Sequence, residues 1–536
     1  MAFLRAEKKK SGTYLRIVQS YKSDGKSKHK TLYSLGKLED YPPEQIERIA
    51  GKLLELIGKK VTEITGADFK ELGRYNYGYA LIILKLWEKF SLSEFVKIIN
   101  NRRKVKFEWH KVIQFLAAER INEPCSKLRS SFHQSEYLGF SDTEFDLHHF
   151  YRALDVLSIE EEFLKRHLYK EQSNLFSSVL DVVFYDVTTL YFDSAKENQG
   201  ELRQKGYSKD GKAHKTQVVL GLLVDKMRNP ISYEIYQGNT YEGKTMIEAL
   251  KKMQDRFNID NVVVVADSAM IDKDNRDHMH KYHIDYILGD RIKNMSKSVK
   301  ETLLNKENHK VISRKEESLF AYAELEYKGR RLICTYSEKR ARKDAHEREK
   351  LIAKAQKWLE EPSKYKQVKK RGAGRFIETN PDGAPVQLNE KQIREDEKYD
   401  GFKAIATTSD LPVEDILSKY RDLYQVEHTF RTLKSQLEVR PVFHWTDSRI
   451  RAHISMCFIA YTFINHLRNL TGLQYAELIR ALDKMQVSDV MDKKTGNKFY
   501  LRSSLSEQQQ IIAEKLRMKL PNDIIPHSAV DKMFTK

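Results

Sequence analysis

The chain has 536 residues, too many for one hydrophobic core, so about three or four domains are expected. With 40% hydrophobic and 32% charged residues it suits a globular protein, and its net charge of +18 indicates a polyanionic partner such as nucleic acid. A solvated basic surface would give the same sum.

Three cysteines far apart in the sequence exclude a disulfide framework and a thiolate metal cluster. The most apolar segment, residues 454–464, is about half as long as a membrane span, and no signal-peptide pattern opens the chain. We therefore expect a cytoplasmic protein.

Residues 1–65 predict a small basic module. Two β-rich arms within residues 13–37 flank a turn at 23–28, and a helix is expected to begin near Pro43, since proline favours the first turn. Seven lysines between Lys8 and Lys30 make the module a candidate for DNA contact, although a solvated hairpin explains them equally well. Residues 66–175 carry apolar side chains at helical spacing and predict a helical domain, for which DNA binding is a hypothesis.

Residues 176–295 predict the order β-β-β-α-β-α-β. Three strands joined by short connections are followed by a helix over 245–257, a short apolar strand ending at Asp267, a helix over 273–282 and a last strand over 285–290. This order is typical of a mixed sheet with helices on its faces. We expect the remainder of this core in residues 401–470.

Residues 296–400 interrupt the core and predict a β-rich, basic insertion. Between Lys339 and Arg375 stand 14 Lys or Arg and 5 Asp or Glu, a surplus of nine (14 − 5) that is half the net charge of the chain. The first basic residues of a helix expected here are candidate DNA contacts: Lys339, Arg340, Arg342 and Lys343. A solvated charged helix is the alternative.

The segment Leu417–Arg440 predicts one amphipathic helix with two stripes, one of them apolar. Five residues share the other face by spacings of 3 and 4: Tyr420, Tyr424, Glu427, Arg431 and Lys434. An acid among tyrosines and cations is a site candidate, although a surface helix with ordinary charge pairs has the same pattern. Residues 471–536 predict a helical C-terminal region.

Three acids from separate elements form the candidate catalytic site: Asp186 on the first core strand, Asp267 at the end of the fourth, and Glu427 on the late helix. A carboxylate at the end of a buried strand is costly unless it is paired or binds a cation. Mg²⁺ prefers such oxygen ligands, and two ions about 4 Å apart promote in-line attack on phosphate. Each acid has another explanation, because Thr188 or Thr189 would satisfy Asp186 and Asp267 would cap the following helix.

The segments around these acids resemble a known family. FYDVTTLYF, VVVVADSAM and YQVEHTFRTLKSQLEVRPVFH are similar to segments of bacterial insertion-sequence transposases of the DDE superfamily, which have an RNase H-like core. One branch of that family carries a β-rich insertion before the catalytic glutamate and the signature Tyr-x2-Arg-x3-Glu-x6-Lys. Tyr420, Glu427 and Lys434 match this signature, whereas Leu423 occupies the arginine position.

The resemblance implies a DNA transposase. Asp186, Asp267 and Glu427 would bind two Mg²⁺ ions, with Mn²⁺ as a substitute, to cleave double-stranded DNA at terminal inverted repeats and to join the freed 3′-hydroxyl to target DNA. It further implies a homodimer on paired ends, an insertion that grips the transposon end, and a place at the bacterial nucleoid.

The signature also implies that Tyr420 and Lys434 contact phosphates near the cleaved end. Arg431 joins them by helical spacing alone, and Arg421 or Arg431 is the candidate to replace the family arginine. Two alternatives stay open: a metal-dependent DNA nuclease on the same core without strand transfer, and a DNA-binding protein that has lost catalysis.

Overall fold

The computed structural model describes most of the chain: residues 2–23, 26–57, 68–140, 144–176, 182–193, 200–206, 215–257, 263–267, 277, 279–282, 284–315, 318–361, 370–530 and 534. The predicted turn at 23–28, the predicted helix over 273–282 and the helix that Asp267 would cap lie wholly or partly outside these residues. The chain divides into two compact units: Met1–Glu71 with Val490–Asn497, and Leu72–Asp489 with Lys498–Lys536.

The first unit contains an antiparallel sheet and one helix. Its elements are β1 (Ala2–Lys9), β2 (Gly12–Ser23), β3 (Lys26–Lys37) and α1 (Pro43–Leu56), and the strands pair in chain order. The backbone N–H of Thr13 donates to the Glu39 carboxylate at 2.9 Å, which fixes the turn after β3 against the start of β2. The predicted hairpin and helix are confirmed, with one further strand before them.

The helical domain expected from apolar spacing is present. After β4 (Phe69–Asn76) it comprises α2 (Gly78–Lys89), α3 (Leu92–Arg102), α4 (Trp109–Asn122), α5 (Lys127–His133), α6 (Leu147–Ile159) and α7 (Glu161–Phe176). Large aromatic side chains, among them Trp87, Trp109 and Phe150, are fully buried in its core.

The next segment forms a mixed sheet. Its elements are β5 (Val182–Tyr191), β6 (Gln204–Lys205), β7 (Thr216–Val224), β8 (Pro230–Gln237), α8 (Glu242–Phe257), β9 (Val263–Ala266) and β10 (Asp285–Asp290). The order is β8-β7-β5-β9-β10, antiparallel among the first three strands and parallel among the last three. Three antiparallel strands followed by two parallel ones are the RNase H-like sheet that the resemblance implied.

Three strands of the insertion extend this sheet. The elements are α9 (Lys297–Leu304), β11 (Lys310–Lys315), β12 (Ser318–Glu326), β13 (Arg331–Ser337), α10 (Glu338–Glu360), β14 (Ile377–Thr379), β15 (Pro385–Leu388), α11 (Glu390–Glu397) and β16 (Phe402–Thr407). Because β16 pairs with β10 on one side and with β13 on the other, β11, β12 and β13 continue the core sheet. The predicted β-rich insertion and its basic helix, α10, are confirmed.

The predicted single helix over Leu417–Arg440 is wrong in its continuity. The elements are α12 (Val413–Arg421), α13 (Tyr424–Arg431), a π-helical turn (Thr432–Gln436) and then α14 (Asp447–Thr471). Between α12 and α13, Leu423 N bonds to Tyr420 O and Val426 N bonds to Leu423 O. These hydrogen bonds span three residues instead of four, so the helix tightens and breaks at this point.

The C-terminal region, expected to be helical, also contains strands. It comprises α15 (Tyr475–Asp483), β17 (Gln486–Asp492), β18 (Lys498–Arg502), α16 (Glu507–Lys515) and β19 (Ile524–Pro526). The strands belong to a sheet of order β19-β18-β17-β4, whose pairing with a strand far away in sequence leaves no local pattern. Among the described residues, no helix combines the length and apolar character of a membrane span.

The main sheet has two buried faces. Val182, Phe184 and Leu190 of β5 pack in the larger core, which they share with the helical domain and with α14. Val183, Tyr185 and Val187 pack in a smaller core, which they share with α8. We call the first side of the sheet the α14 face and the second the α8 face.

Candidate active site

Asp186 and Asp267 lie side by side on parallel strands. In the β5–β9 pairing Tyr185 is opposite Ala266, so the next residue of each strand is level with the other. Neighbouring strands are about 4.8 Å apart, which brings the two acids next to each other. Asp186 is half-buried in a strand that is otherwise mostly buried, its Oδ1 accepts a hydrogen bond from Val187 N at 2.7 Å, and Asp267 is exposed.

Both acids project from the α14 face. Phe184 and Val265, which stand two residues before them, pack in the larger core on that face. Because side chains two apart on a strand point the same way, Asp186 and Asp267 follow them.

Glu427 comes from a helix that lies on the same face. Helix α13 contacts β5 and β7, and its Val426 and Phe430 are buried in the larger core. The Thr429 hydroxyl lies 2.8 Å from the Tyr461 hydroxyl of α14, in a buried contact that holds α13 in place. Glu427 follows Val426 and is exposed at the edge of this contact. The structure thus brings the three predicted acids to one face of one sheet.

Tyr420 and Lys403 lie within electrostatic reach of these acids. Burial, followed by the charge of Asp267, raises the pKa of Tyr420, and Glu427 adds to the effect. Burial, followed by Arg340, lowers the pKa of Lys403, while both carboxylates act in the opposite direction. The Lys403 ammonium lies 4.4 Å from the centre of the Tyr420 ring.

A cavity of about 480 Å³ opens beside Asp267, and it is also lined by Gly289, Arg340, Lys403 and Tyr420. Of the basic residues predicted on α10, Arg340 therefore reaches the site. The sequence analysis missed Lys403. A signal for it existed, because alternation in β16 places Lys403 on the same side as the buried Ile405, where a charged residue is unusual.

The other predicted residues are arranged around the site. Arg431 is exposed at the end of α13, and Lys434 is half-buried in the π-helical turn. On α10 three predicted DNA contacts are exposed and do not line the cavity: Lys339, Arg342 and Lys343. Leu423 packs against the larger core, and Arg421 is exposed.

The donor chemistry of the three acids fits Mg²⁺, which prefers oxygen ligands. Among the described residues, groups of three ligand atoms within 4.8 Å of one another occur elsewhere: Glu119 with Cys125 and His133, and Asp146 with His148 and His149. Asp186, Asp267 and Glu427 are spaced more widely. That spacing fits ions that are each held by one or two carboxylates and completed by water and phosphate.

A family model described as the transposase DDE domain matches residues 177–463, more than half of the chain. The chain belongs to the DDE transposase family. A second model, the N-terminal domain of IS1634 family transposases, matches residues 4–60 of this transposase. The predicted family and the RNase H-like fold are thereby confirmed. The family assigns the transposase to DNA transposition, as an enzyme that acts on DNA with divalent metal ions.

Solved transposase structures are also similar to this transposase. One is a piggyBac transposase synaptic complex with hairpin DNA, at 10% identity and a TM-score of 0.36 over 85% of this chain and 84% of that chain. Another is a Mos1 transposase paired-end complex with left transposon end, at 13% identity and a TM-score of 0.15 over 24% of this chain and 41% of that chain. A comparison with curated proteins gave no match.

Proposed function

We propose that this transposase moves DNA by a cut-and-paste reaction. It cleaves at the terminal inverted repeats of its element and joins the freed 3′-hydroxyl to target DNA. The observation that carries the proposal is the level placement of Asp186 and Asp267 on neighbouring parallel strands, under the helix that presents Glu427.

Asp186, Asp267 and Glu427 are the residues that would hold two Mg²⁺ ions, with Mn²⁺ as a substitute. When bound, these ions activate water or a 3′-hydroxyl and stabilise the leaving oxygen in an in-line displacement at phosphorus. The half-buried position of Asp186 and the α14 face behind it restrict the approach of bulk water, which strengthens electrostatic interactions at the site.

The surrounding cations bind the DNA backbone. Tyr420 donates its hydroxyl to a phosphate near the cleaved bond, and Lys434 and Arg431 contact phosphates along the same end. The exposed basic residues of α10 grip the transposon end: Lys339, Arg340, Arg342 and Lys343. The enzyme acts as a homodimer on paired double-stranded ends, and its charge of +18 supports an association with the nucleoid.

The test is an end-cleavage and joining assay with a labelled duplex that carries the DNA flanking the coding region, in Mg²⁺ and separately in Mn²⁺. Glu427→Gln should lower the cleavage rate by about 100-fold or more, because it removes a charge at the reacting phosphate. End binding should stay within about threefold of wild type, which is less than 1 kcal/mol.

Glu414→Gln is the matched control, since Glu414 is an exposed acid in the first turn of α12. It should cleave at the wild-type rate. A Glu427→Gln variant that cleaves like wild type would remove Glu427 from the site. Nicked ends without joined product would favour a nuclease without strand transfer, and end binding without nicking would favour a protein that has lost catalysis.

A further inference from the structure

Lys403 is a cation that enters the active-site region from the insertion side of the sheet. It lies on β16, two residues before Ile405, which packs in the larger core, so its side chain starts on the α14 face with those of Asp186 and Asp267. The side chain is half-buried. Within the described residues, no carboxylate pairs with its ammonium at ion-pair distance.

Gly289 leaves the space between Lys403 and Asp267 open. β10 lies between β9 and β16, and its Leu288 is opposite Ala266, so Gly289 is level with Asp267. Gly289 is also opposite Ile405 and therefore on the α14 face. Two strand spacings, about 10 Å, separate β16 from β9, and a glycine between them puts no side chain in the gap. This glycine forms part of the lining of the 480 Å³ cavity.

The Tyr420 hydroxyl is a second, independent sign of a ligand in this cavity. Tyr420 is 6% exposed, and its hydroxyl has no hydrogen-bond partner among the described residues. Buried hydroxyls are nearly always paired, because an unpaired one costs about 1–3 kcal/mol. The Lys403 ammonium, 4.4 Å from the centre of the same ring, places a positive charge beside this free donor.

We infer that Lys403 and Tyr420 form a phosphate subsite over Gly289, next to Asp267, which holds a phosphodiester group of the DNA strand being cleaved. An ammonium and a hydroxyl that converge on one cavity are donors without an acceptor, and phosphate oxygens are acceptors with a negative charge. Lys403 thereby supplies, from the insertion side, a cation in the neighbourhood where Leu423 provides none. The inference rests on the proposed function for the identity of the ligand as DNA.

The test compares Lys403→Ala and Lys403→Arg with wild type. Lys251→Ala is the matched control, because Lys251 is exposed on α8, on the opposite face of the sheet. The first readout is binding of the labelled end duplex without metal ions at several salt concentrations. Each lost phosphate contact lowers the slope of log K against log salt by about 0.9. The second is single-turnover cleavage of the same duplex in Mg²⁺.

Lys403→Ala should lower the salt slope by about 0.9 and the cleavage rate by about 10- to 100-fold, the effect of losing one charged hydrogen bond. Lys403→Arg should restore the slope and most of the rate, and Lys251→Ala should match wild type in both. Thermal unfolding checks that each variant is folded. If Lys403→Ala fails to fold, the same two measurements on Lys403→Met replace it.

A wild-type slope and rate in folded Lys403→Ala would overturn the inference, as would a loss that Lys403→Arg does not restore. Failure of the wild-type protein to cleave the end duplex would instead refute the proposed function. The salt slope in the metal-free experiment would still decide whether Lys403 contacts a phosphate.

Discussion

A buried charge network fastens the edge of the core sheet to two helices. Glu234 of β8 is 3% exposed, and its carboxylate pairs with Lys165 of α7 at 3.6 Å, with Lys252 of α8 at 3.0 Å and with Arg256 of α8. Glu234→Gln keeps the shape of the side chain and removes its charge. The substitution therefore tests the network without creating a cavity.

The expected loss of stability follows from which charges are left. Removing one partner of a buried ion pair costs about 3–5 kcal/mol. Lys165 retains Glu161 at 2.9 Å, and Arg256 retains Glu162 at 2.5 Å, so the uncompensated charge is reduced. We therefore expect Glu234→Gln to lower the free energy of unfolding by about 3 kcal/mol, the lower end of that range.

The loss depends on pH. Burial alone would raise the pKa of Glu234, but Lys165 and Arg256 outweigh it and lower the pKa below the ordinary value of 4.5. A carboxyl group with a lowered folded-state pKa stabilises the protein above its unfolded pKa, and this stability is lost as the pH falls through the folded value. The difference between wild type and Glu234→Gln should therefore be full at pH 7 and narrow below about pH 4.5.

Urea unfolding followed by tryptophan fluorescence measures the effect, with Glu248→Gln as the control. Glu248 pairs with the same Lys252 at 2.6 Å, but its side chain is 50% exposed, and an exposed pair contributes less than about 1 kcal/mol. The reasoning is refuted if both variants unfold at the same urea concentration, or if the loss in Glu234→Gln does not change with pH.

Three further substitutions test other parts of the molecule. Burial and then Arg120 lower the pKa of Lys127 to about 7, so its charge costs the folded state most at or below that pH; Lys127→Met should raise the melting temperature at pH 6, and by less at pH 9.5. Tyr420→Phe removes a hydroxyl without a partner in the described structure, so melting should not fall, whereas single-turnover cleavage should fall by about tenfold. Leu423→Arg, which restores the family signature, should lower the melting temperature without raising the cleavage rate, because residue 423 packs on the core.

The parts of the fold that the sequence predicts are those set by local patterns. The strand order from β5 to β10 follows from short connections and apolar runs, and the position of Asp267 at the end of its strand follows from the same run. Adjacency of Asp186 and Asp267 needs only the further rule that the two strands are parallel neighbours. The family resemblance selected these acids, and the structure shows that they share one face.

The rest depends on contacts between distant segments. The break at Leu423 comes from hydrogen bonds of three-residue span, which helical periodicity does not reveal, and it removes the continuous face on which Arg431 had been placed. Lys403 reaches the cavity because β16 pairs with β10 and β13, which lie about 70 to 120 residues earlier. The strands β17 to β19 likewise depend on a distant pairing.

The extended sheet has a mechanical consequence. Hydrogen bonds run without interruption from β11 through β13, β16, β10 and β9 to β5, so the insertion and the strand that carries Asp186 belong to one stiff lattice. Tension applied to the insertion is transmitted to the acids across that lattice, with no flexible joint on the path. The insertion therefore cannot be excised as a module, since its removal would strip β16 of its outer partner and leave a raw sheet edge within two strands of Asp267.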